Sequence, residues 1–509
     1  MYSWMEVLGQ WKHGIVYPRW AASAYWGYGE ARFLFYPPAS WTLGAALGAV
    51  LPWKMVPGAY CWVALMLAGA AMHRLAREWL SAPEALFAAA FYALNPYHLL
   101  IVYWRSAYAE LLASALLPLL LLCVLRLTRP GFRPVLWLGL TLAAAWLTNA
   151  PAAVMIHYSV AGLAAVLAVL ERSWRPLART ALAIALSAGL ASFYLIPAVY
   201  ETRWINIGEV LSPGVRPQDN FLFTILADPD HNRFNLLVSI IALAEIGVLA
   251  LAIWGSRGWW TKRLGVVSDQ RPWTLLSAWG AVSAVLMFSV SNLLWQLLPK
   301  LRFMQLPFRW LLCMNAALAI LLTLAARRWA WRWLASAVLL AAVIVAGYRT
   351  QPPWWEIAGD IRAMNAAVAG GAGYEGTDEY VPAGADSYEL NQSLPLVSDE
   401  AGAPVLSQIL AWQPMEKHFR VHAAAPQNLT LHLFNYPAWK VAVNGKDITT
   451  RTTDVTGLLV VPVVAGDNDV QVHFRRTRDR WVGDAVSLIS LALLVVAWIN
   501  ARRTSRSPS

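Results

Sequence analysis

Ionisable side chains are scarce in this sequence, and those beside long apolar runs are the candidates for chemistry. Arg19, Glu30 and Arg32, with Glu6, Lys12 and His13, precede the apolar run 39–53. Arg105 and Glu110 stand between two such runs, Glu201 follows Pro197-Ala198-Val199-Tyr200, and Arg302 and Arg309 flank Phe303-Met304-Gln305-Leu306-Pro307-Phe308. A charge at membrane depth is costly, so it is either paired or functional. Arginine binds phosphate in a bidentate fork, so Arg302 and Arg309 can hold a lipid phosphate; an interhelical salt bridge is the other reading. Arg105 and Glu110 are five apart, which a regular helix would turn to about 140° around its axis, so each is expected to find a different partner. Asn149, in Thr148-Asn149-Ala150-Pro151, either caps a helix or binds a ligand hydroxyl.

Other motifs are weaker. Asp228-Pro229-Asp230-His231 has donors for a divalent cation but no specific spacing, and a solvated turn is the better reading. His418 and His422 share a strand face, with His432 and His473 on possible neighbouring strands, but no acid or cysteine completes a zinc set. Asn428-Leu429-Thr430 matches a glycosylation sequon inside an expected strand. No phosphate-binding loop, nucleophile elbow or dinucleotide fingerprint is present, so no cofactor is assigned.

These residues need elements to position them, and composition says which. Of 509 residues, 58% are hydrophobic and only 14% charged, with 29 tryptophans. Soluble chains carry about 25% charged residues, so this is a polytopic membrane protein. The net charge of +11 does not point to nucleic acid, because the basic residues sit in short clusters between apolar runs. Cys61, Cys123 and Cys313 all lie inside apolar runs, which excludes a disulfide framework. Residues 1–10 lack the basic start and apolar core of a signal peptide.

Apolar runs at 56–72, 83–99, 108–127, 134–148, 151–170, 179–197, 236–254, 272–291, 308–325, 333–348 and 481–499 predict about eleven crossings. The run 39–53 suits an interfacial or re-entrant segment. Clusters Arg74/Arg77, Arg126/Arg129/Arg133, Arg172/Arg175/Arg179, Arg257/Lys262/Arg263/Arg271, Arg327/Arg328/Arg332 and Arg502/Arg503/Arg506 fall at every second loop. Those loops are therefore expected on the cytoplasmic side of the cytoplasmic membrane, with the C-terminus. The opposite loops, 349–480 among them, are then extracytoplasmic. The first forty residues are also placed outside, which calls either for a transmembrane helix upstream of the given start or for a span over 39–53; the upstream helix is the favoured expectation.

The expected domains are an outer interfacial loop with a re-entrant segment over 1–55 and a helical membrane domain over 56–348. An extracytoplasmic domain over 349–480, a last helix over 481–501 and a basic tail over 502–509 follow. Within 349–480, period-2 alternation predicts strands at 418–424, 428–434, 439–443, 457–463 and 468–474. Asn444-Gly445 marks a hairpin and Pro462 a strand end or edge. A helix is expected over 354–369 and a glycine-rich loop over 370–386. The whole reads as a β-sandwich-like domain.

In the first loop, Tyr17-Pro18-Arg19-Trp20, Gly27-Tyr28-Gly29 and Phe35-Tyr36-Pro37-Pro38 resemble a bacterial membrane protein family described as related to 6-pyruvoyl-tetrahydropterin synthase. That family is similar in layout to C-type (GT-C) membrane glycosyltransferases. Arg105 with Glu110, Asn149-Ala150-Pro151, Pro197-Ala198-Val199-Tyr200-Glu201 and Phe308-Arg309-Trp310 look like its later landmarks. Tyr436-Pro437-Ala438-Trp439-Lys440-Val441 with Asn444-Gly445, and Gly457 to Pro462, resemble the outer β-domain of YfhO-type membrane proteins. The resemblance covers nearly the whole chain. It implies a lipid-linked sugar donor, polyprenyl phosphate held by basic side chains, and an acid in the first outer loop as base toward a glycan or lipid acceptor in cell-envelope assembly. The family's first helix and acidic motif would lie before Met1, so Glu30, or else Glu6, takes the base role. Arg19, Arg32, Arg302 and Arg309 are then assigned to phosphate, and Arg105, Glu110 and Glu201 to shaping the cavity. Pterin synthase chemistry needs a compact zinc-binding histidine cluster, which the sequence does not offer. A transporter or assembly factor for surface polysaccharide or lipid is the alternative, and a membrane anchor for a working β-domain is a third reading.

Overall fold

The computed structural model of the protein describes residues 1–262, 270–350 and 357–503. Arg263, Arg506 and the start of the expected 354–369 helix lie outside the described residues, as do the side chains of Lys262, Arg502 and Arg503. Contacts divide the chain into two compact units. One comprises residues 1–57, 192–209 and 356–486; the other comprises 58–191, 210–355 and 487–509.

Among the described residues, eight helices are long and apolar enough to cross a membrane: Trp53–Ala76, Ala82–Arg105, Tyr108–Arg126, Ala150–Glu171, Pro229–Arg257, Pro307–Ala325, Trp329–Arg349 and Arg478–Ala501. Two further pairs are bent, Arg175–Leu190 with Ser192–Trp204 by 78° and Arg271–Val285 with Ser289–Leu297 by 96°, which makes ten if each is one span. The remaining expected crossing, 134–148, forms the helix Arg133–Thr148, at 16 residues short of a full span. The run 39–53 forms only the 13-residue helix Pro38–Val50.

In the second unit the helix Leu311–Ala325 is buried from Leu311 to Leu324 and packs against helices Pro229–Lys262 and Arg271–Val285. A helix apolar on every side must be covered on every side. Close approach is set by small residues: a methyl group added at Gly280 would lie 3.2 Å from Leu249, and one at Gly255 3.1 Å from Ala325. Polar links stitch this interior, from Asn315 to Glu245 (2.9 Å) and from the Trp279 indole to Ser159 (3.0 Å).

In the first unit, helix Tyr2–Lys12 packs on Pro38–Val50, where Gly44 lies under the Trp4 ring. Among its described residues the unit also has nine strands: β1 (Val397–Ser398), β2 (Ser407–Gln413), β3 (Glu416–Ala423), β4 (Gln427–Phe434), β5 (Trp439–Val443), β6 (Lys446–Ile448), β7 (Arg451–Thr452), β8 (Leu458–Val463) and β9 (Gly466–Phe474). They form two antiparallel sheets, ordered β1-β4-β8-β7 and β2-β3-β9-β5-β6. The five expected strands are β3, β4, β5, β8 and β9, each placed within about two residues. Asn444 (φ 52°) and Gly445 (φ 76°) both take left-handed backbone, as the two-residue β5–β6 hairpin requires. Pro462 lies on β8 beyond the residues that pair with β7, so its missing N–H costs no bond on that side.

Alternation along β3 turns Phe419, Val421 and Ala423 inward, and it turns Lys417 inward with them. Lys417 is 3% exposed, donates to the Gln413 carbonyl, and lies 5.4 Å from the Trp412 ring. Burial pulls its pKa down to about 7. The unfolded chain keeps that proton to a pH near 10, so stability rises with pH between about 7 and 10, and the deficit is complete below about 7. Lys417→Met is therefore expected to raise the melting temperature at pH 6, with the gain fading by pH 10. A pH-independent or destabilising effect in melting curves would refute this reading of Lys417.

Candidate functional site

The aromatic stretch near the start is buried by protein. Trp20 lies 5.5 Å from the Trp439 ring and 5.6 Å from Phe474, and Tyr28 stacks on His432 at 3.6 Å. Gly29 (φ +75°) makes this possible, because a Cβ there would sit 2.0 Å from the Trp20 indole nitrogen. A backbone bridge, Ala21 N–H to Glu30 O (2.8 Å) and back (3.0 Å), closes the turn and aims Glu30 inward.

Glu30 has 0% exposure. Its carboxylate meets the Arg32 Nε at 2.5 Å and accepts the Thr377 N–H at 2.8 Å. Arg32 also donates to Thr377 Oγ1 (2.6 Å) and Ser3 Oγ (3.3 Å). Glu6 is buried close by in the same network. It accepts the Ser23 N–H (2.9 Å) and the Tyr374 hydroxyl (2.7 Å), and the Arg32 guanidinium lies 5.6 Å from the Tyr374 ring. Burial pushes Glu6 up to about 7 against those hydrogen bonds, and burial also raises Glu30 despite Arg32. For Arg32, burial works to lower the pKa, but Glu30 and the nearby tyrosines outweigh it and hold the guanidinium charged. Carboxyls tuned toward neutral pH are suited to proton transfer.

Thr377, Tyr374 and Asp378 come from the loop expected only to be glycine-rich. Its glycines have a purpose: a Cβ at Gly376 would lie 2.7 Å from Glu30 Oε2. Asp378 accepts three hydroxyls, from Tyr25 (2.9 Å), Ser387 (2.7 Å) and Tyr388 (3.0 Å). Burial acts to raise its pKa, but these bonds prevail and keep it below the ordinary carboxylate range. Asp378 lines an open polar pocket of about 450 Å³ with Asn206, Glu209, Asp386, Ser387 and Tyr388, whose ring is 84% exposed. Carboxylates, an amide and an accessible aromatic ring form a surface suited to a polyhydroxyl ligand.

Glu201 belongs to a separate buried clamp in this unit. Arg480 donates to it in a fork (2.8 and 2.9 Å), the Tyr436 hydroxyl at 2.5 Å and Thr477 at 3.3 Å. Arg19 stacks 4.2 Å over the Tyr17 ring, and no ion pair is seen for it among the described residues. Burial, with Arg480 and Arg476 nearby, lowers its pKa to about 10.

In the second unit the expectation for Arg105 and Glu110 is corrected, because they pair directly at 2.9 Å. The chain is not a regular helix there: a π-turn over Ile101–Arg105 ends at Ser106 in left-handed backbone (φ 48°), so the 140° offset does not apply. Arg309 joins at 3.1 Å and Tyr97 at 2.5 Å, so two guanidiniums share one carboxylate. Arg309 also donates to the Met304 carbonyl. Arg302 is exposed, 5.4 Å from the Phe303 ring, and stands apart from this cluster. Trp310, next to Arg309, lines an apolar cavity of about 230 Å³ with Leu163, Trp279, Leu286 and Leu301; its buried indole N–H has no partner among the described residues. Asn149 caps the helix Ala150–Glu171 by accepting the Ala152 N–H at 2.9 Å.

The remaining motifs resolve locally. Asp228 accepts the N–H groups of Asp230 (2.9 Å) and His231 (3.3 Å), as a turn does. The β3 histidines pair separately across the sheet, where β9 brings Asp469 to His418 (2.9 Å) and Asp467 to His422 (2.7 Å). Among the described residues, no three His, Cys, Asp or Glu converge as metal ligands.

A family model described as "6-pyruvoyl-tetrahydropterin synthase related domain; membrane protein" matches residues 33–352. No curated protein matches the chain. A solved structure, ArnT from Cupriavidus metallidurans bound to undecaprenyl phosphate, is similar over 73% of this chain and 65% of its own length, at 14% identity and a TM-score of 0.45. The match therefore spans less than two thirds of that protein.

Proposed function

The chain belongs to the 6-pyruvoyl-tetrahydropterin synthase-related family of membrane proteins, and from that premise we propose that it is a GT-C-type glycosyltransferase of the cytoplasmic membrane, using a polyprenyl-phosphate-linked sugar at the outer face. The observation that carries this reading is the sharing of Glu110 by Arg105 and Arg309. Two buried guanidiniums on one carboxylate leave a cationic charge that an anion must balance, and Arg is matched to phosphate. The apolar cavity at Leu301 and Trp310 offers a place for isoprenoid units. The exposed Arg302, also in the second unit, is a further cation available to phosphate in this reading, whereas Arg32 is taken up by Glu30. The sequence resemblance supplies the donor class.

For the acceptor, the Asp378 pocket binds sugar hydroxyls and Glu30 acts as base. Burial raises the Glu30 carboxyl, whereas the hydroxyls that Asp378 accepts lower its pKa, so Glu30 is the more basic of the two and takes the base role in this reading. Glu30 can act only when the Thr377 contact opens, so residues 374–378 must withdraw when acceptor binds. The β-domain, with residues 357–480 outside, guides the acceptor.

The test is transfer of labelled sugar from polyprenyl phosphate by purified protein. Glu30→Gln is expected to lower kcat at least about 100-fold, the usual worth of a general base, with the melting temperature held. Full turnover in that variant would remove Glu30 from the chemistry. The complete burial of Glu30 favours a second reading, a non-catalytic transporter or assembly factor for surface polysaccharide or lipid. That reading expects no transfer from any polyprenyl donor, with retained lipid-phosphate binding.

A further inference from the structure

A groove of about 610 Å³ runs along the second unit between helices Leu116–Arg126 and Arg133–Thr148. Its walls are apolar, with Leu116, Leu119 and Leu140 among them, and one end is lined by Arg126, Arg129 and Arg133. Glu78 is ion-paired to this end, accepting from Arg126 (2.6 Å), Arg74 (3.1 Å) and Arg129 (3.4 Å), so one carboxylate is shared by three guanidiniums. Arg179 adds a fourth positive side chain at the rim, donating to the Arg129 carbonyl (2.6 Å). Arg126 Nε is buried with no hydrogen-bond partner among the described residues. The mouth thus carries excess positive charge and an unanswered donor.

We propose that this groove seats an anionic diacyl phospholipid of the surrounding bilayer, with an acyl chain along Leu116, Leu119 and Leu140 and the phosphate at Arg126 and Arg129. Charge complementarity selects an anionic headgroup, because basic pockets between membrane helices hold such lipids. Length selects the tail. From Leu116 to Arg126 the helix rises about 15 Å, half of the ~30 Å hydrocarbon core, which fits one leaflet of a bilayer lipid rather than a long polyprenyl chain. Trp137 lines the same groove, is 52% exposed and meets Trp498 edge-on at 5.1 Å, the aromatic signature of a membrane boundary. The basic end is the cytoplasmic one by charge bias, so this site is distinct from the outward chemistry proposed above and does not depend on it.

Native mass spectrometry of the purified full chain, titrated with phosphatidylglycerol, phosphatidylcholine of the same acyl length, or polyprenyl phosphate, tests the proposal. Phosphatidylglycerol is expected to bind about thirtyfold more tightly than phosphatidylcholine, given two arginines at the headgroup. The Arg126→Gln/Arg129→Gln variant should lose that preference. Ala144 also lines the apolar part, and Ala144→Phe, which fills it and leaves every charge in place, should lower binding of both phospholipids and decides the matter should the charge variant not fold. Equal binding of the two phospholipids, unaltered binding in both variants, or selective loss of polyprenyl phosphate from the variants would overturn the proposal.

Discussion

Arg480→Met is expected to destabilise the first unit by about 3–5 kcal/mol, because it strands the Glu201 carboxylate in a fully buried site. The arginine provides two of the four hydrogen bonds that Glu201 accepts, and both as a charged fork. Tyr436 and Thr477 remain in the variant but carry no charge to balance the anion. The double variant Glu201→Met/Arg480→Met should cost less than Arg480→Met alone, since removing both charges leaves nothing uncompensated. Tyr436→Phe should cost about 1–3 kcal/mol, the penalty of one unanswered buried acceptor. Melting curves in nanodiscs and limited proteolysis of the 357–486 segment report these losses. A single-variant effect under about 0.5 kcal/mol, the range of ordinary surface substitutions, would mean that water reaches the clamp.

Arg309→Ala is expected to weaken polyprenyl phosphate binding about 100-fold, the worth of one charge-assisted bidentate contact. The fold should survive, because Glu110 keeps Arg105 and the Tyr97 hydroxyl. Glu110→Gln should move binding the other way. Without the internal carboxylate both guanidiniums turn to the phosphate, so affinity rises while stability falls by about 3–5 kcal/mol through the loss of a buried counter-ion. These opposite signs separate a ligand site from a structural ion pair, in which both substitutions would lower stability and leave binding unmoved. Lipid-phosphate titration beside melting temperature gives both readings on the same samples.

Much of the fold was legible because periodicity is local. The alternation in Glu416–Ala423 and Gly466–Phe474 marks each strand without its neighbours, and Asn444-Gly445 marks its hairpin in two residues. All eleven apolar runs are helices, although two are bent and Arg133–Thr148 is short. The site was less legible. Arg105 and Glu110 meet because Ser106 takes left-handed backbone, and nothing in the sequence Trp104-Arg105-Ser106-Ala107 announces that turn. Tyr374, Thr377 and Asp378 lie in a loop with no period, and their partners are residues near the start of the chain. The clustered Gly370, Gly371, Gly373 and Gly376 were the available signal. They read as flexibility, whereas Gly373 and Gly376 allow close contact with Trp26, Tyr25 and Glu30. The inward Lys417 was also visible in the alternation of β3, to a reading that asked which face each charge takes.

The hydrogen bond from Tyr374 to Glu6 joins residues 368 positions apart, and the fork from Arg480 to Glu201 joins residues 279 apart. At ribosomal speeds of about 5–20 residues per second, Glu6 therefore waits roughly 20–70 s for its partner to be made. During that interval the pocket for Trp20 does not exist, and Glu6, Glu30 and Glu201 are solvated carboxylates on an unfinished chain. The first-made and last-made segments of the unit are thus obliged to fold together, late and in one event. A chain stopped short of Arg480 would display several aromatic rings and an unpaired acid at once, an unmistakable mark of incompleteness to the proteases that police a membrane.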